Sequence, residues 1–74
     1  MQKTSDTTDW NVIKKIESED FSLIQRLNEM GFKEGLAVRL VRTISFGSVY
    51  VIQFEDSIVA LNSMEMKCLK LQSM

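Results

Sequence analysis

The chain is so short that its fold must depend on the burial of apolar side chains alone. It has 74 residues, with one cysteine and no histidine. One cysteine cannot form an internal disulfide. The absence of histidine removes Cys₂His₂ zinc sites and nucleophilic catalysis by Ser/His/Asp or Cys/His groups. A chain of this size buries only about 60% of its unfolded surface, so we expect one small domain whose apolar residues mostly enter a single core.

Charge and hydropathy narrow the classes of function further. The formal net charge is −1, and alternation places Arg39 and Arg42 on opposite strand faces, so we expect no nucleic-acid partner. No apolar run approaches the roughly 18 residues of a membrane span, and residues 1–9 lack the apolar region of a signal peptide. We expect a flexible N-terminal arm over residues 1–9, a single domain over residues 10–74, a cytoplasmic location and no direct membrane insertion.

One helix gives the clearest signal in the sequence. Its apolar residues share one helical stripe, at Leu23, Ile24, Leu27 and Met30. Asp20 or Ser18 can cap the free N–H groups at its start. Gly31 follows the stripe, where a left-handed ending is favoured, and this ending predicts a contact between Phe32 and Leu27.

Segments rich in β-branched and aromatic residues flank this helix and predict strands. The predicted elements are a strand over residues 10–17, a helix over about residues 20–30, strands over residues 37–44, 48–55 and 58–61, a helical turn near residues 62–66, and a strand over residues 68–72. Apolar alternation fails in the first strand, which a bulge or an edge position would explain. The order β-α-β-β-β-turn-β predicts a mainly β fold with one helix, in the form of a small closed barrel.

The segment from Arg26 to Val38 resembles the RLxxLGLxPGxxV signature of the FeoA family, ferrous iron transport protein A. Here it reads RLNEMGFKEGLAV. The further matches are Arg42–Gly47 at the family's strand and PLGDP hairpin, Ala60-Leu61 at its AL dipeptide, and Met66, Leu69 and Leu71 at its closing AxxIxV. The chain departs from the pattern at Glu34 and Asp56, where the family has proline and glycine.

The resemblance implies a fold, a partner and a function. The FeoA fold is an SH3-like β-barrel, which agrees with the predicted strand order. By resemblance, the chain is a small cytoplasmic accessory protein of ferrous iron uptake. It binds the cytosolic part of FeoB, the ferrous iron permease with a cytosolic GTPase domain, and it modulates transport without catalysis. This partner would place it peripherally at the inner membrane. The alternative is an SH3-like peptide-binding or regulatory module of another assembly.

The residues predict no catalytic, cofactor or metal site. Glu17, Glu19 and Asp20 are close in sequence, but acidic residues at a helix start favour the helix dipole and can cap the helix. Cys68 is expected in or near the core. Ferrous iron prefers a defined set of imidazole, carboxylate or thiolate ligands. Since the chain has no histidine and one cysteine, we expect it to have no dedicated iron site.

An aromatic side chain in a predicted hairpin is the strongest candidate for contact with a partner. Phe46 lies in a loop of about three residues, from which it either projects outward or folds back over the barrel end. Exposed aromatic side chains anchor interfaces. The candidate partner-binding residues are Phe46, Arg42, Gly47, Met30, Phe32 and Leu36. The last three would form an apolar patch where the helix meets the next strand, although packing on Leu27 is the stronger expectation for Phe32.

Two features stay open at the level of sequence. Arg26 can pair with Glu29 on its own helix, which is the favoured reading, or with a partner protein. The oligomeric state is not readable from the pattern, since an exposed strand at either end of the barrel would allow a weak homo-oligomer.

Overall fold

An antiparallel sheet organises residues 10–74, which are the part of the chain that the computed structural model describes. The elements are β1 (Trp10–Ile16), α1 (Phe21–Glu29), β2 (Ala37–Ile44), β3 (Val49–Phe54), β4 (Ser57–Asn62), α2 (Ser63–Lys67) and β5 (Leu69–Ser73). The strands pair in the order β4-β3-β2-β1-β5. The predicted mainly β fold and its order of elements are confirmed, while the arm predicted over residues 1–9 lies outside the described residues.

The sheet is open, which corrects the expected closed barrel. β4 and β5 lie at its two ends, and within residues 10–74 no hydrogen-bonded ladder joins them. Instead, α2 connects these two strands and contacts both of them. The backbone of a helical turn bonds within itself, so α2 cannot supply the strand pairing that closure needs. Within residues 10–74, the result is an open sheet whose edge strands are β4 and β5.

Two register shifts bend the sheet. One lies between Ile13 and Lys15 in the pairing of β1 with β5, and the other between Leu40 and Arg42 in the pairing of β2 with β3. Such irregularities insert an unpaired residue and increase the local twist. The first shift explains why β1 does not alternate. β1 is an interior strand, so the bulge and not an edge position accounts for its pattern.

The core is formed where side chains of α1 and the following turn meet the inner face of the sheet. Its fully buried members are Phe32, Ile13, Leu27, Ile52, Leu61 and Val38. The ring centroids of Phe32 and Phe54 lie 4.7 Å apart with the planes tilted by 49°. Tilted aromatic pairs add to the stabilisation that burial provides. Phe32 therefore joins the end of α1 to the end of β3.

The predicted glycine ending of α1 is present. The Gly31 N–H donates to the Asn28 carbonyl and the Phe32 N–H donates to the Leu27 carbonyl, both at 3.0 Å. This is the hydrogen-bond pattern of a Schellman motif. Gly31 has φ +106°, and an added Cβ would lie 3.4 Å from the Phe54 ring. The turn thus returns Phe32 into the core.

Asp20 caps the start of α1, and Ser18 supports it. The Asp20 Oδ1 atom accepts from the Ser22 hydroxyl at 2.6 Å and from the Ser22 N–H at 3.0 Å. These two bonds hold the pKa of Asp20 below its ordinary value. The Ser18 hydroxyl oxygen accepts from the Asp20 N–H at 2.9 Å. Asp20 therefore caps the helix, and Ser18 holds Asp20 in place, whereas the sequence offered the two residues as alternative caps.

The Asp20 cap predicts a pH-dependent contribution to stability. Because its folded-state pKa is lowered, the contribution is present above the unfolded carboxyl pKa, about 3.9. It is lost as the pH falls through the folded-state value. We expect Asp20→Ala to lower the Tm at pH 7, and the difference from the unsubstituted chain to shrink at more acidic pH, measured by circular dichroism. Glu29→Ala is the control, and a difference that stays constant with pH would contradict the mechanism.

The core predicts a severe defect for one substitution. Phe32→Ala should cost about 3–5 kcal/mol, while one core of this size supplies roughly 3–5 kcal/mol in total. We expect the variant to be largely unfolded at 25 °C, as measured by urea titration and near-ultraviolet circular dichroism. Phe21→Ala is the matched control, because the Phe21 side chain is 74% exposed. A cooperative transition with an unchanged midpoint in Phe32→Ala would contradict this account.

Candidate partner-binding surface

The turn between β2 and β3 is a well-bonded left-handed loop. Three successive residues have positive φ: Ser45 at 56°, Phe46 at 57° and Gly47 at 87°. The Gly47 N–H donates to the Ile44 carbonyl at 3.1 Å. The Ser45 carbonyl accepts from the Ser48 N–H at 3.2 Å and from the Ser48 hydroxyl at 2.8 Å. The loop therefore presents its side chains from a defined backbone, and Gly47 supplies a position that favours glycine.

Phe46 is the most exposed large apolar side chain in the described part of the chain. Its relative exposure is 111%, so the ring contacts almost nothing in the domain. Of the two predicted orientations, the outward one is present. A bulky residue in the left-handed region also costs about 1–2 kcal/mol. The side chain therefore adds no packing to offset its unfavourable backbone, a combination that points to a role in contact with another molecule.

The strands beside the loop extend this surface. Side chains along β3 alternate between the two faces of the sheet, and Ile52 is buried in the core. Val51 and Val49 therefore face away from the core. Directly paired residues share a face of the sheet, and these two pair with Arg42 and Ile44 on β2. We define the hairpin surface as Arg42, Ile44, Phe46, Val49 and Val51.

The bulge in β2 changes where the two arginines lie. Arg39 pairs with Gln53, and Arg42 with Val51, two positions on the same face of β3. The expectation of opposite faces is therefore wrong, because the inserted residue after Leu40 reverses the alternation. Both arginines lie on the outer face of the sheet.

The two arginines nevertheless have different roles. Arg39 donates two hydrogen bonds to Gln53 Oε1, at 2.7 and 3.2 Å. Its guanidinium also lies 5.7 Å from the centroid of the Trp10 ring, a cation–π distance. Arg42 is exposed and forms no ion pair with residues 10–74. Arg39 thus joins three strands, while Arg42 stays exposed to solvent.

The apolar patch expected from Met30, Phe32 and Leu36 is not a surface. Phe32 is 1% exposed and Leu36 is 9% exposed, and Met30 is half-buried against the same core. The Schellman turn carries Phe32 inward, and the Leu36 carbonyl accepts from the Ile13 N–H at 2.9 Å, which holds Leu36 beside β1. Of the candidate residues, the structure brings Phe46, Gly47 and Arg42 together on one hairpin and places the others in or against the core.

A buried carboxylate links the two helices, and sequence reasoning missed it. Glu65 is 3% exposed, and its Oε2 atom lies 3.0 Å from Arg26 Nε. Its Oε1 atom accepts from the Asn62 N–H at 2.9 Å, while the Glu65 N–H donates to Asn62 Oδ1 at 2.8 Å. Arg26 therefore pairs with Glu65 and not with Glu29. The detectable signal was the spacing of Asn62 and Glu65, which fits a capping box.

Other concave or charged regions of residues 10–74 show no built chemical site. An open groove of about 520 Å³ is lined by Ile16, Glu17, Ser18, Glu19, Ile24 and Lys70. Glu17 pairs with Lys15 at 3.0 Å, which lowers the pKa of Glu17 and raises that of Lys15. Within residues 10–74, no three histidine, cysteine, aspartate or glutamate side chains are grouped to hold a metal ion. Neither helix in this range is long and apolar enough to cross a membrane.

The open sheet, its short helices and the exposed hairpin define a small SH3-like domain. The model of the FeoA domain matches residues 11–72, and the chain belongs to this family. The family is implicated in ferrous iron transport, so the resemblance found in the sequence is confirmed. No curated protein sequence matches the chain.

Solved structures show where the same fold occurs. Iron(II) transport protein A from Clostridium thermocellum superposes with a TM-score of 0.79 at 22% identity, over 88% of this chain and 40% of that one. The FeoA of Stenotrophomonas maltophilia, solved in complex with zinc and described as an SH3 domain protein, gives 0.73 at 24%, over 88% and 80%. The manganese regulator SloR gives 0.77 at 17%, over 89% of this chain and 30% of the regulator. This chain thus spans less than half of the clostridial protein and of the regulator.

The ion pair of Arg26 with Glu65 predicts coupled effects on stability. Glu65→Ala should lower the free energy of unfolding by about 1–3 kcal/mol, because it removes the carboxylate that accepts from the Asn62 N–H and pairs with Arg26. Arg26→Ala should cost less, since the Arg26 side chain is 67% exposed and water can replace part of the interaction. Urea unfolding of the two single variants and the double variant measures the coupling. Glu29→Ala is the control, and additive losses would contradict the pairing.

The left-handed Phe46 predicts an increase in stability on substitution. Asparagine tolerates positive φ better than phenylalanine does. Because the ring is fully exposed, Phe46→Asn should raise the free energy of unfolding by about 1 kcal/mol. The measurement is urea unfolding, with Phe21→Asn as the control for loss of an exposed aromatic. A destabilised Phe46→Asn variant would show that the ring has contacts within the fold.

Proposed function

We propose that the chain is a non-catalytic accessory protein of ferrous iron uptake that acts in the cytoplasm. In this proposal it binds the cytosolic part of the ferrous iron permease FeoB and modulates transport. Membership of the FeoA family supports the link to iron transport. The observation that carries the binding function is the fully exposed Phe46 ring, presented by a hydrogen-bonded left-handed loop.

The hairpin surface has the composition of a protein interface. Phe46 is an aromatic anchor that can enter an apolar pocket of the partner, which is the usual position of residues that dominate binding energy. Ile44 extends the apolar area along β2 and is 41% exposed. Arg42 lies beside it with its charge uncompensated by the described residues, so the partner pocket should carry a carboxylate at its rim.

The geometry of the loop supports a pre-organised mode of binding. Three hydrogen bonds already fix the loop backbone, and with it the direction in which the Phe46 side chain leaves the loop, before a partner arrives. Little backbone conformational entropy is then lost when the ring becomes buried. The left-handed backbone at Phe46 is a cost to folding that binding offsets.

Separate tests of binding and of stability examine the proposal. Phe46→Ala should leave the chain folded, reduce capture of FeoB at least tenfold, and impair ferrous iron uptake in cells that carry it. Phe21→Ala, another exposed phenylalanine outside the hairpin surface, is the matched control. Wild-type uptake and capture with Phe46→Ala would remove Phe46 from the interface.

The partner fragment is a second variable of the same experiment. The cytosolic GTPase fragment and the full-length permease should be tested separately for co-purification with the chain. Arg42→Glu should weaken capture further at low ionic strength and less at high ionic strength, because exposed charges are screened by salt. Failure to capture either form would favour the alternative of an SH3-like module that recognises a peptide in another assembly.

A further inference from the structure

We propose that the outer edge of β4, which no strand among residues 10–74 covers, pairs with the β4 edge of a second copy of this chain, forming a weak two-fold dimer. β4 is the terminal strand of the sheet. Its sequence is SIVALN, with no proline and no charged residue. Natural edge strands usually carry one of these features, or a bulge or a cover, to prevent pairing. The pairing of β4 with β3 is also regular along its whole length.

The register identifies which backbone groups face outward. Phe54 and Ser57 close the two-residue turn between β3 and β4, and closing residues of such a hairpin exchange both of their hydrogen bonds. Bonded and non-bonded pairs then alternate, so Ile58 and Ala60 direct their N–H and C=O groups away from β3. Asn62 is the next residue in this series, and its N–H also points away from β3, because it donates to the Glu65 side chain.

Ile58 and Ala60 are therefore the unpaired backbone positions of the edge. Among residues 10–74, no turn, loop or cap hydrogen bond involves their backbone groups. One antiparallel register pairs the outward N–H and C=O groups of both residues in both copies. In it, Ile58 lies opposite Ala60 of the second copy, and Ala60 lies opposite Ile58 of the second copy. Val59 then lies on the two-fold axis, opposite itself. A slip of one pairing step in either direction would leave one of the two free positions without an equivalent partner.

The composition of the edge favours self-association over other occupants. The chosen register places the acidic turn residues Glu55 and Asp56 opposite Ser63 and Asn62, so no like charges face each other. The apolar Ile58 side chain, which is 64% exposed, lies diagonally across from its equivalent on the outer face. The other free edge, β5, carries Lys70, and pairing of β5 with itself or with β4 would bring that charge to the contact.

The dimer is expected to be weak because the contact is narrow. It consists of one strand from each copy, well below the roughly 1,000 Å² of a stable interface. It continues the sheet across the two-fold axis and leaves Phe46, at the opposite end of β2 and β3 from the β3–β4 turn, outside the contact. The dimer is thus independent of the proposed binding of FeoB.

Sedimentation velocity of the full chain from about 10 μM to about 1 mM tests the association, because a dimer with a small interface forms only at high protein concentration. We expect dimer to appear in the upper part of this range. Ile58→Lys should abolish it by placing two like charges on the diagonal, and Ala60→Pro should abolish it by removing the outward N–H. Ile44→Lys is the matched control: it adds the same charge to the same outer face, two strands from the edge.

Cross-linking through introduced cysteines tests the register. Val59 and its equivalent would have Cα atoms about 4.5 Å apart in a non-hydrogen-bonded pair, which is within disulfide range. Ser57 and its equivalent would lie about 14 Å apart along the strands. Under oxidised glutathione, Val59→Cys should form a covalent dimer, whereas Ser57→Cys and the unsubstituted chain with buried Cys68 should not.

Several results would overturn the edge dimer. They are a monomer throughout the concentration range, a dimer that Ile58→Lys leaves intact, equal loss of the dimer in Ile44→Lys or Phe46→Ala, and cross-linking through Ser57→Cys rather than Val59→Cys. If the chain stays monomeric and Ile58→Lys instead abolishes capture of FeoB, the edge belongs to that partner. Loss of FeoB capture in Phe46→Ala together with an unchanged dimer would separate the two proposals.

Discussion

The ion pair between the buried carboxylate of Glu65 and the mostly exposed Arg26 is the contact on which the arrangement of the open end depends. Glu65 fixes α2 through the Asn62 capping box and reaches α1 through Arg26. Since no ladder joins β4 to β5 in the described part of the chain, this polar cluster and the apolar contacts of α2 hold the two ends of the sheet in position. A buried carboxylate is tolerated there because both of its oxygens have partners.

The same cluster explains why β4 and β5 can stay at the edges of the sheet formed by residues 10–74. The carboxylate of Glu65 takes the N–H of Asn62, the last residue of β4, so the edge ends in a capped helix rather than in a longer strand. The core packs against one face of the sheet only. The other face and the β2–β3 hairpin carry side chains such as Phe46 and Ile58 that packing does not require. In a domain with a single small core, those exposed side chains are the basis of the two proposed contact surfaces.

Local chemistry explains which parts of the fold were predictable. The α1 stripe, its Asp20 cap and its Gly31 ending depend on neighbouring residues, and all three follow from spacing. The exposed position of Phe46 was one of two predicted outcomes, because a short loop limits how far a ring can return. The burial of Leu36 and Met30 was not predicted, since their environment is set by β1 and the core rather than by their own neighbours in sequence.

The sequence by itself determined the elements, their order, the family and the residue types that rule out histidine chemistry, because these depend on composition and local periodicity. Only the tertiary structure decided the partner of Arg26, the common face of Arg39 and Arg42, and the open ends of the sheet. These features depend on a bulge and on contacts between segments about 40 residues apart, where sequence spacing carries no information about distance. The physical reason is that the residue inserted in β2 and the pairing of Arg26 with Glu65 change the geometry without a signal among neighbouring residues.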